Sequence, residues 1–571
     1  MHILGINAAF HDSSACLVRD GVVIAAAEEE RFSRIKHGKR ATPYQAHALP
    51  FHAIDYCLQA GGITLTDVDD VAYSFDPFML TNGTTERRFA LPHDAPEARA
   101  GGGYDPWDTI FLAGITAAPR MLRDDVPFHL RERLNGPADR HRWRFHFVEH
   151  HVAHAASAYY PSPFERAAVL TLDGRGECVS TYLGVGDGLH LEKLNEVTLP
   201  HSLGLLYEQV TSHLGFLNSS DEYKVMALAS YGTPRYADRF RSGLRWREDG
   251  GYEIAPFDLT ELLGPARHPK ATFEADHFDI ASSLQVALEE AGLRLATWLQ
   301  RRTGEQSLCL AGGVALNCVM NSRIARESPF ERVWVQPAAG DAGTSLGAAL
   351  AVWAGQATNG AATRWRMESA YLGPSYDDDQ IKAVLDHARL SYQQPADYIA
   401  AVAEQLAEGK VVGWFQGRME YGPRALGARS ILASPIDPQM MHRLNELKDR
   451  EDFRPVAPAV LAEEAGRYFA DCDESPFMLF VYDVRPEMAD RVPAIRHVDG
   501  TARAQTVSQE HSPLFHELLV RFKDRTGVPV LVNTSFNTRG KPIVCTPQDA
   551  LECFFTSPID VLAIGGYLLK K

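Results

Sequence analysis

The chain has 571 residues, 45% hydrophobic and 23% charged, enough for two or more domains with sizeable cores. Its net charge of -16 disfavours a nucleic-acid surface, which needs a basic footprint. Eight cysteines without a CxxC pair read as reduced thiols of a cytoplasmic protein rather than a disulfide or zinc framework. Neither a signal peptide nor an apolar run long enough to cross a bilayer is visible, so no membrane partner is expected.

The chain opens with a strand over Ile3–Ile6, the polar loop AAFHDSSA, a second strand, an Asp20-Gly21 turn and a third strand. The order recurs later: AAVLTLDG ends in Asp173-Gly174, and CVSTYLGVG and LHLEKL flank Asp187-Gly188. An internal duplication explains this better than chance. The arrangement resembles the duplicated fold of actin, Hsp70 ATPases and sugar kinases, which binds a nucleotide between its halves. Next come a strand at Ser307–Leu310 and AGGVALN. There Gly312 and Gly313 let backbone approach a ligand, a helix follows, and Asn317 is a further candidate nucleotide contact. VWVQPAAGDAGTSLGAALAVW reads as a strand, an acidic glycine loop and a small-residue helix. From 355 a linker-like stretch leads to a second α/β pattern: helices at YIAAVAEQLAEG, HSPLFHELLVRFKDRTG and TPQDALECFF, and strands at VVGWFQG, PVLVNTS and VLAIGGYLL. The expected domains are 1–355 and 370–571.

FVEHHVAHAASAYYP reads as a helix ended by Pro161, which puts His150 and His154 on one face at i and i+4, a chelating spacing. His151 points elsewhere and reads as structural. HxxxH alone is more often coincidence among 22 histidines, but Asp173 and Asp341 in the two acidic loops complete a set of two imidazoles and two carboxylates. That set suits iron, manganese or zinc. A turn residue at Asp173 and a helix cap at Asp341 are the plainer alternatives.

In the second half, basic residues gather beside glycines, prolines and strand ends. GRMEYGPRALGARS carries Arg418, Arg424 and Arg429, KDREDFRP carries Lys448 and Arg454, and TARAQTV carries Arg503. VNTSFNTRGKP carries Asn533, Ser535, Asn537, Arg539 and Lys541. Such placement favours a pocket for a nucleotide or acyl phosphate over a solvated charge run.

Together with HDSSACLVRDG, EEERFSRIKHG, LDGRGE, EYKVMALASYG and GDAGTSLGAA, these motifs resemble the carbamoyltransferase family of NodU/CmcH/TobZ type across nearly the whole chain. The resemblance implies an α/β protein. Its first domain would be TsaD-like, of the duplicated actin/Hsp70 (ASKHA) type, and its second a YrdC/HypF-like carbamoyl-adenylation domain. It further implies a cytoplasmic, ATP-dependent O-carbamoyltransferase. ATP (with Mg2+) and carbamoyl phosphate would give carbamoyl adenylate, and the carbamoyl group would pass to a hydroxyl of a small-molecule natural product of the antibiotic type.

By that resemblance His150, His154, Asp173 and Asp341 hold Fe2+ or another divalent ion, and Lys36 contacts nucleotide in the first domain. Arg418, Arg424, Arg429, Lys448, Arg454, Arg503, Asn533 and Ser535 form the adenylation pocket, with Lys448 and Arg454 acting directly on the reacting phosphates. His11 lies near the acceptor, where an imidazole can serve as general base; a turn-capping residue is the plainer alternative. The competing readings are a tRNA threonylcarbamoyl transferase, disfavoured by the acidic charge, and a non-catalytic nucleotide-binding protein, which would have no use for the second-domain cations.

Overall fold

The structure is a computed structural model that describes residues 1–38, 49–81, 114–119, 121–122, 143–256, 258–357 and 364–571. The expected linker from 355 falls partly outside these residues. The chain divides into two compact units, Met1–Met367 and Glu368–Lys571.

The first unit is built on two five-stranded sheets. Strands β1 (His2–Asn7), β2 (Ser14–Arg19), β3 (Val22–Glu28), β4 (Asp70–Tyr73) and β5 (Arg144–Phe147) pair in the order 3-2-1-4-5. The β1–β2–β3 meander is antiparallel, and β4 and β5 add in parallel on the other side of β1. Asp20 and Gly21 close β2–β3 with φ of 51° and 84°, the doubly left-handed conformation of a tight hairpin turn.

The second sheet repeats the plan. Strands β6 (Arg166–Leu172), β7 (Val179–Asp187) and β8 (His190–Thr198) form the meander. A small ribbon, β9 (Leu244–Trp246) with β10 (Tyr252–Ile254), follows in sequence, and then β11 (Ser307–Ala311) and β12 (Arg332–Val335) add in parallel. The order 8-7-6-11-12 is that of the first sheet, so the duplication read from the Asp-Gly spacing is real in topology. It is the duplicated actin/Hsp70-like plan.

Both metal-candidate histidines sit on the helix His150–Tyr159, which packs against the helix Ala342–Gln356. The two backbones come close because Gly347 has no side chain: a Cβ there would lie 1.8 Å from the Ala153 carbonyl oxygen. Ala342–Gln356 also lies on β1 and β2, so one helix touches both the strand that carries the His11 loop and the helix that carries the histidines.

The second unit is also α/β. Its main sheet contains β13 (Val412–Phe415), β14 (Arg429–Ala433) and β15 (Ala457–Leu461). After a short ribbon, β16 (Tyr482–Asp483) with β17 (Thr501–Ala502), come β18 (Gln505–Val507), β19 (Val530–Ser535), β20 (Val561–Ile564) and β21 (Tyr567–Lys570). The seven strands are ordered 18-15-19-14-13-20-21, over a core that includes Trp414, Phe415, Phe522 and Phe554. The helix Pro513–Thr526 starts with proline and stops at Gly527, whose φ is 73°, as its sequence implies. One expectation is corrected. VLAIGGYLL is not one strand but the antiparallel pair β20–β21, because Gly565-Gly566 turns the chain between two apolar runs.

Candidate active site

Four side chains that enter from separate elements converge in the first domain. His150 and His154 come from the first turns of their helix, Asp173 follows β6, and Asp341 precedes Ala342–Gln356. All four are buried, and one ligand atom from each lies within 4.8 Å of the other three. The two Nε2 atoms stand 3.1 Å apart with the rings nearly perpendicular. Asp341 Oδ1 lies 3.5 Å from His150 Nε2 and 3.6 Å from His154 Nε2, and Asp173 Oδ2 lies 3.6 and 3.9 Å from the same atoms.

The plainer alternatives for the two aspartates do not describe this geometry. Asp341 occupies the cap position of its helix yet makes no capping hydrogen bond, and its buried Oδ1 has no hydrogen-bond partner. Asp173 accepts the Gly313 amide on Oδ1 at 2.7 Å, which turns Oδ2 toward the histidines. Gly312, at φ 92°, makes that turn possible, since a Cβ would strike the Leu172 carbonyl at 2.1 Å. Thus Gly312 and Gly313, expected near a nucleotide, here shape the surroundings of Asp173.

The donor set fits a divalent transition ion. His150 donates Nδ1–H to the Ser74 carbonyl at 3.1 Å, so Nε2 is the nitrogen that offers a lone pair once the ring is neutral. A lone pair facing a second imidazole nitrogen and two buried carboxylates calls for positive charge at their centre. The electrostatics agree. Burial opposes charge on His150, yet Asp341 and Asp173 outweigh it and push its pKa well up. Burial would raise both aspartates, yet His11 and His150 hold Asp341 far down, and the two histidines do the same for Asp173 against repulsion from Asp341. His151 is set apart: Nδ1 meets Thr171 Oγ1 at 2.7 Å, and burial holds the ring neutral with a pKa near 3.

His11 stands at the edge of this cluster, Nδ1 3.9 Å from Asp341 Oδ2. Its Nδ1 is 3.0 Å from Asp12 Oδ2, Asp12 Oδ1 is 2.8 Å from His37 Nδ1, and His37 Nε2 is 3.0 Å from Ser220 Oγ. Phe10, Asp12 and His37 all have positive φ (38°, 50° and 64°), strain of the kind that collects at functional loops. Burial opposes charge on His11, but Asp341, Asp12 and Asp173 push its pKa up to about 10. Asn7 holds the loop, donating to the His11 and Asp12 carbonyls at 3.1 Å each. Lys36 lies in the turn Lys36–Gly38 with Nζ 5.9 Å from the Tyr223 ring centre. Asn317 caps the helix Cys318–Glu327 and pairs with the Gln285 amide, so its side chain is committed to structure.

The second domain brings part of its expected set together. Lys448 is buried, and Nζ donates to the Ser535 carbonyl (2.5 Å), Ser535 Oγ (2.9 Å) and Asn537 Oδ1 (2.7 Å). All three acceptors are uncharged. Burial first, then Arg450 and Arg454, push the Lys448 pKa far down. Asn533 Nδ2 donates to the Gln505 side chain and the Ala425 carbonyl, while its buried Oδ1 and Arg503 Nε have no hydrogen-bond partner. Arg424 lies in the loop whose next carbonyl, that of Ala425, receives Asn533.

Other expected phosphate contacts have different tasks. Arg429 is 0% exposed, lies flat on Phe415 at 3.7 Å, and donates to the carbonyls of Gln416, Gly417, Ala428 and Pro374. Arg418 donates to the carbonyls of Leu372 and Gly373, Arg539 pairs with Asp449, and Lys541 pairs with Glu552 at the surface.

Sequence reasoning missed three residues. Glu420 is buried, and one carboxylate oxygen collects the amides of Leu426, Ala428 and Arg429, shaping the arginine loop from within. Gln505 ties Asn533 to the Leu426 carbonyl. Glu177 lies behind His150. Glu420 and Glu177 sat in motifs already singled out, but as acidic residues among arginines and glycines they carried no periodic signal.

Residues 2–350 match the carbamoyltransferase N-terminus family and residues 403–571 the carbamoyltransferase C-terminus family. The chain is 41% identical over 614 residues to an uncharacterized protein of Synechocystis sp., covering 100% of this chain and 97% of that one. It is 38% identical over 586 residues to nodulation protein NolNO of Sinorhizobium fredii, covering 99% and 80%. Among solved structures, full-length HypF in its phosphate- and nucleotide-bound form is similar at 13% identity and TM-score 0.34, over 64% of this chain and 47% of that one. Among the described residues, no helix is long and apolar enough to cross a membrane.

Proposed function

The chain belongs to the carbamoyltransferase family, and from that premise we propose that it is an ATP-dependent O-carbamoyltransferase acting on a hydroxylated small molecule of the natural-product type. In its second domain water would cleave carbamoyl phosphate to carbamate and inorganic phosphate, and the carbamate oxygen would attack the α-phosphorus of ATP to give carbamoyl adenylate with release of pyrophosphate. Its first would pass the carbamoyl group to the acceptor hydroxyl, releasing AMP. The observation that carries this division is the buried cluster of His150, His154, Asp173 and Asp341, with His11 at its rim, in a different domain from Lys448.

In the second domain Lys448 would hold phosphate oxygens. Its Nζ hydrogen-bonds only to neutral acceptors, and burial beside Arg450 and Arg454 disfavours its charge until an anion arrives. A phosphate supplies that anion and would offset the cost of the buried ammonium. Arg454, Arg424 and Arg503 would add charge as pyrophosphate leaves, and Ser535 and Asn533 would supply neutral hydrogen-bonding groups.

In the first domain a bound divalent ion, Fe2+ or another transition metal, would serve as Lewis acid toward a carbonyl or phosphoryl oxygen. The chain's own contribution is the proton. Asp12 takes Nδ1 of His11; a cation held by Asp341 and Asp173 would offset the carboxylates that otherwise keep the ring protonated, and would free Nε2 to accept the acceptor's hydroxyl proton, with Asp12 stabilising the imidazolium that forms. Lys36 would meet a nucleotide phosphate.

Purified protein given ATP and carbamoyl phosphate should release pyrophosphate, and release should stop when carbamoyl phosphate is withheld. A panel of hydroxylated acceptors, read by mass spectrometry for one added carbamoyl group per product, then identifies the second substrate. Pyrophosphate release independent of carbamoyl phosphate would overturn the reading.

A further inference from the structure

We propose that Glu177 is a positioning residue for the metal centre: a single carboxylate that fixes both the backbone of the ligand His150 and the carbonyl that sets its tautomer. The inference rests on reading His150, His154, Asp173 and Asp341 as metal ligands.

Glu177 is 6% exposed and lies 27 residues beyond His150, after the glycine turn that follows Asp173. Its Oε1 accepts the Asp76 amide at 2.6 Å and the His150 amide at 3.0 Å, and its Oε2 also faces the His150 amide, at 3.2 Å. The first amides of a helix have no partner within it, and Glu149 at the cap position provides no side-chain hydrogen bond. Glu177 therefore caps the ligand helix from a distant part of the chain through its carboxyl oxygens.

The second half of the contact gives it more than a capping role. Asp76 is two residues past Ser74, whose carbonyl accepts Nδ1–H of His150 at 3.1 Å. Ser74 is held from two other sides: its Oγ donates to Asn7 at 3.1 Å and accepts from Thr344 of the Asp341 helix at 2.8 Å. Glu177 thus closes a ring from the His150 backbone through Asp76 and Ser74 back to the His150 ring. Were it removed, the helix start and the Ser74 carbonyl could shift relative to each other, and Nε2 would lose its fixed direction. Outer partners of metal-bound histidines act in this way.

The substitution Glu177→Gln keeps the size but sets an amide N–H group against the backbone amides. Co2+ is the probe, because its visible spectrum reports ligand geometry as well as occupancy. Wild-type protein, stripped of metal and titrated with Co2+, should bind one ion per chain. Glu177→Gln, confirmed as folded by circular dichroism, should bind roughly 10- to 100-fold more weakly with an altered spectrum. A cap that serves stability alone would lower the melting temperature and leave affinity and spectrum as in the wild type; that result would overturn the proposal. Should Glu177→Gln not fold, Glu177→Asp keeps the charge and shortens the reach, and a wild-type affinity and spectrum in it would overturn the proposal equally. Absence of saturable Co2+ binding by the wild type would instead sink the metal centre itself, and this inference with it.

Discussion

Replacing His154 with alanine tests the central assignment most directly. His154 is fully buried, and its Nε2 faces His150 at 3.1 Å, Asp341 at 3.6 Å and Asp173 at 3.9 Å. It is one of four proposed ligands. Structural zinc sites in small peptides bind their ion with an apparent free energy of about 10–16 kcal/mol, or roughly 2.5–4 kcal/mol for each of four ligands if shared equally, which sets the scale. Losing one ligand should therefore weaken metal binding by roughly 10²- to 10³-fold. The assay is equilibrium dialysis of stripped protein against Co2+, followed by elemental analysis, on wild type and His154→Ala with matched melting profiles. The two half-reactions are then measured separately. The variant should still release pyrophosphate from ATP when given carbamoyl phosphate, because Lys448 and its neighbours are untouched, yet transfer almost nothing to an acceptor. Equal metal content in the two proteins refutes the ligand assignment. Loss of pyrophosphate release with retained transfer refutes the division of chemistry between the domains.

Lys448→Ala should give the complementary result: no pyrophosphate release, but transfer from synthetic carbamoyl adenylate intact, checked on the same pair of assays. His11→Asn should slow transfer by roughly 10²- to 10⁴-fold while adenylate formation continues; a near-normal rate returns His11 to a structural role. Arg429→Ala should behave as a stability variant, costing at least ~3 kcal/mol in denaturant unfolding, because four carbonyls and the Phe415 face lose a buried cation. Metal uptake should be linked to pH. Carboxylates raise the pKa of His150 and of His11, the latter from 6.5 to about 10, so the metal-free fold gains stability from their protonation below pH 6.5 and loses it as pH rises toward about 10. A cation among the same carboxylates competes with those protons, so Co2+ affinity should rise with pH across that window, up to about tenfold per unit for each proton displaced. A flat affinity would contradict the site's electrostatics.

Much of the first domain was legible because its signals are local. Asp20-Gly21 and Asp187-Gly188 mark hairpins through the conformation that glycine permits, and their equal surroundings betray a repeat that the two sheet orders reproduce. The HxxxH spacing needs only a helix to bring two imidazoles to one face. What joins them to Asp173 and Asp341 is not local. Gly347, which lets two helices approach, is in sequence merely one small residue among others, and Gly312, read from sequence as making room for a ligand, turns the loop whose amide aims Asp173. The hairpin within VLAIGGYLL was missed for the opposite reason, since apolar residues on both sides of Gly565-Gly566 obscure the break in a continuous run.

The basic residues of the second domain show where sequence ceases to discriminate. Arg429 and Lys448 both stand in Gly- and Pro-marked loops, and both are buried. Their difference lies in what surrounds the charge. Arg429 meets four carbonyls and an aromatic face, which stabilise its cation without any ligand. Lys448 meets neutral oxygens and two neighbouring arginines, so its charge is destabilised until an anion comes. Under the proposed division of labour, the cation that the fold already stabilises would serve the scaffold, and the one that it leaves uncompensated would receive substrate. The same distinction applies to the acids: Asp341 has a carboxylate oxygen without a hydrogen-bond partner and faces the histidines, while Glu177 is filled by backbone amides and holds them in place. Residue type and spacing propose the candidates, and the balance of charge around each one separates binding from support.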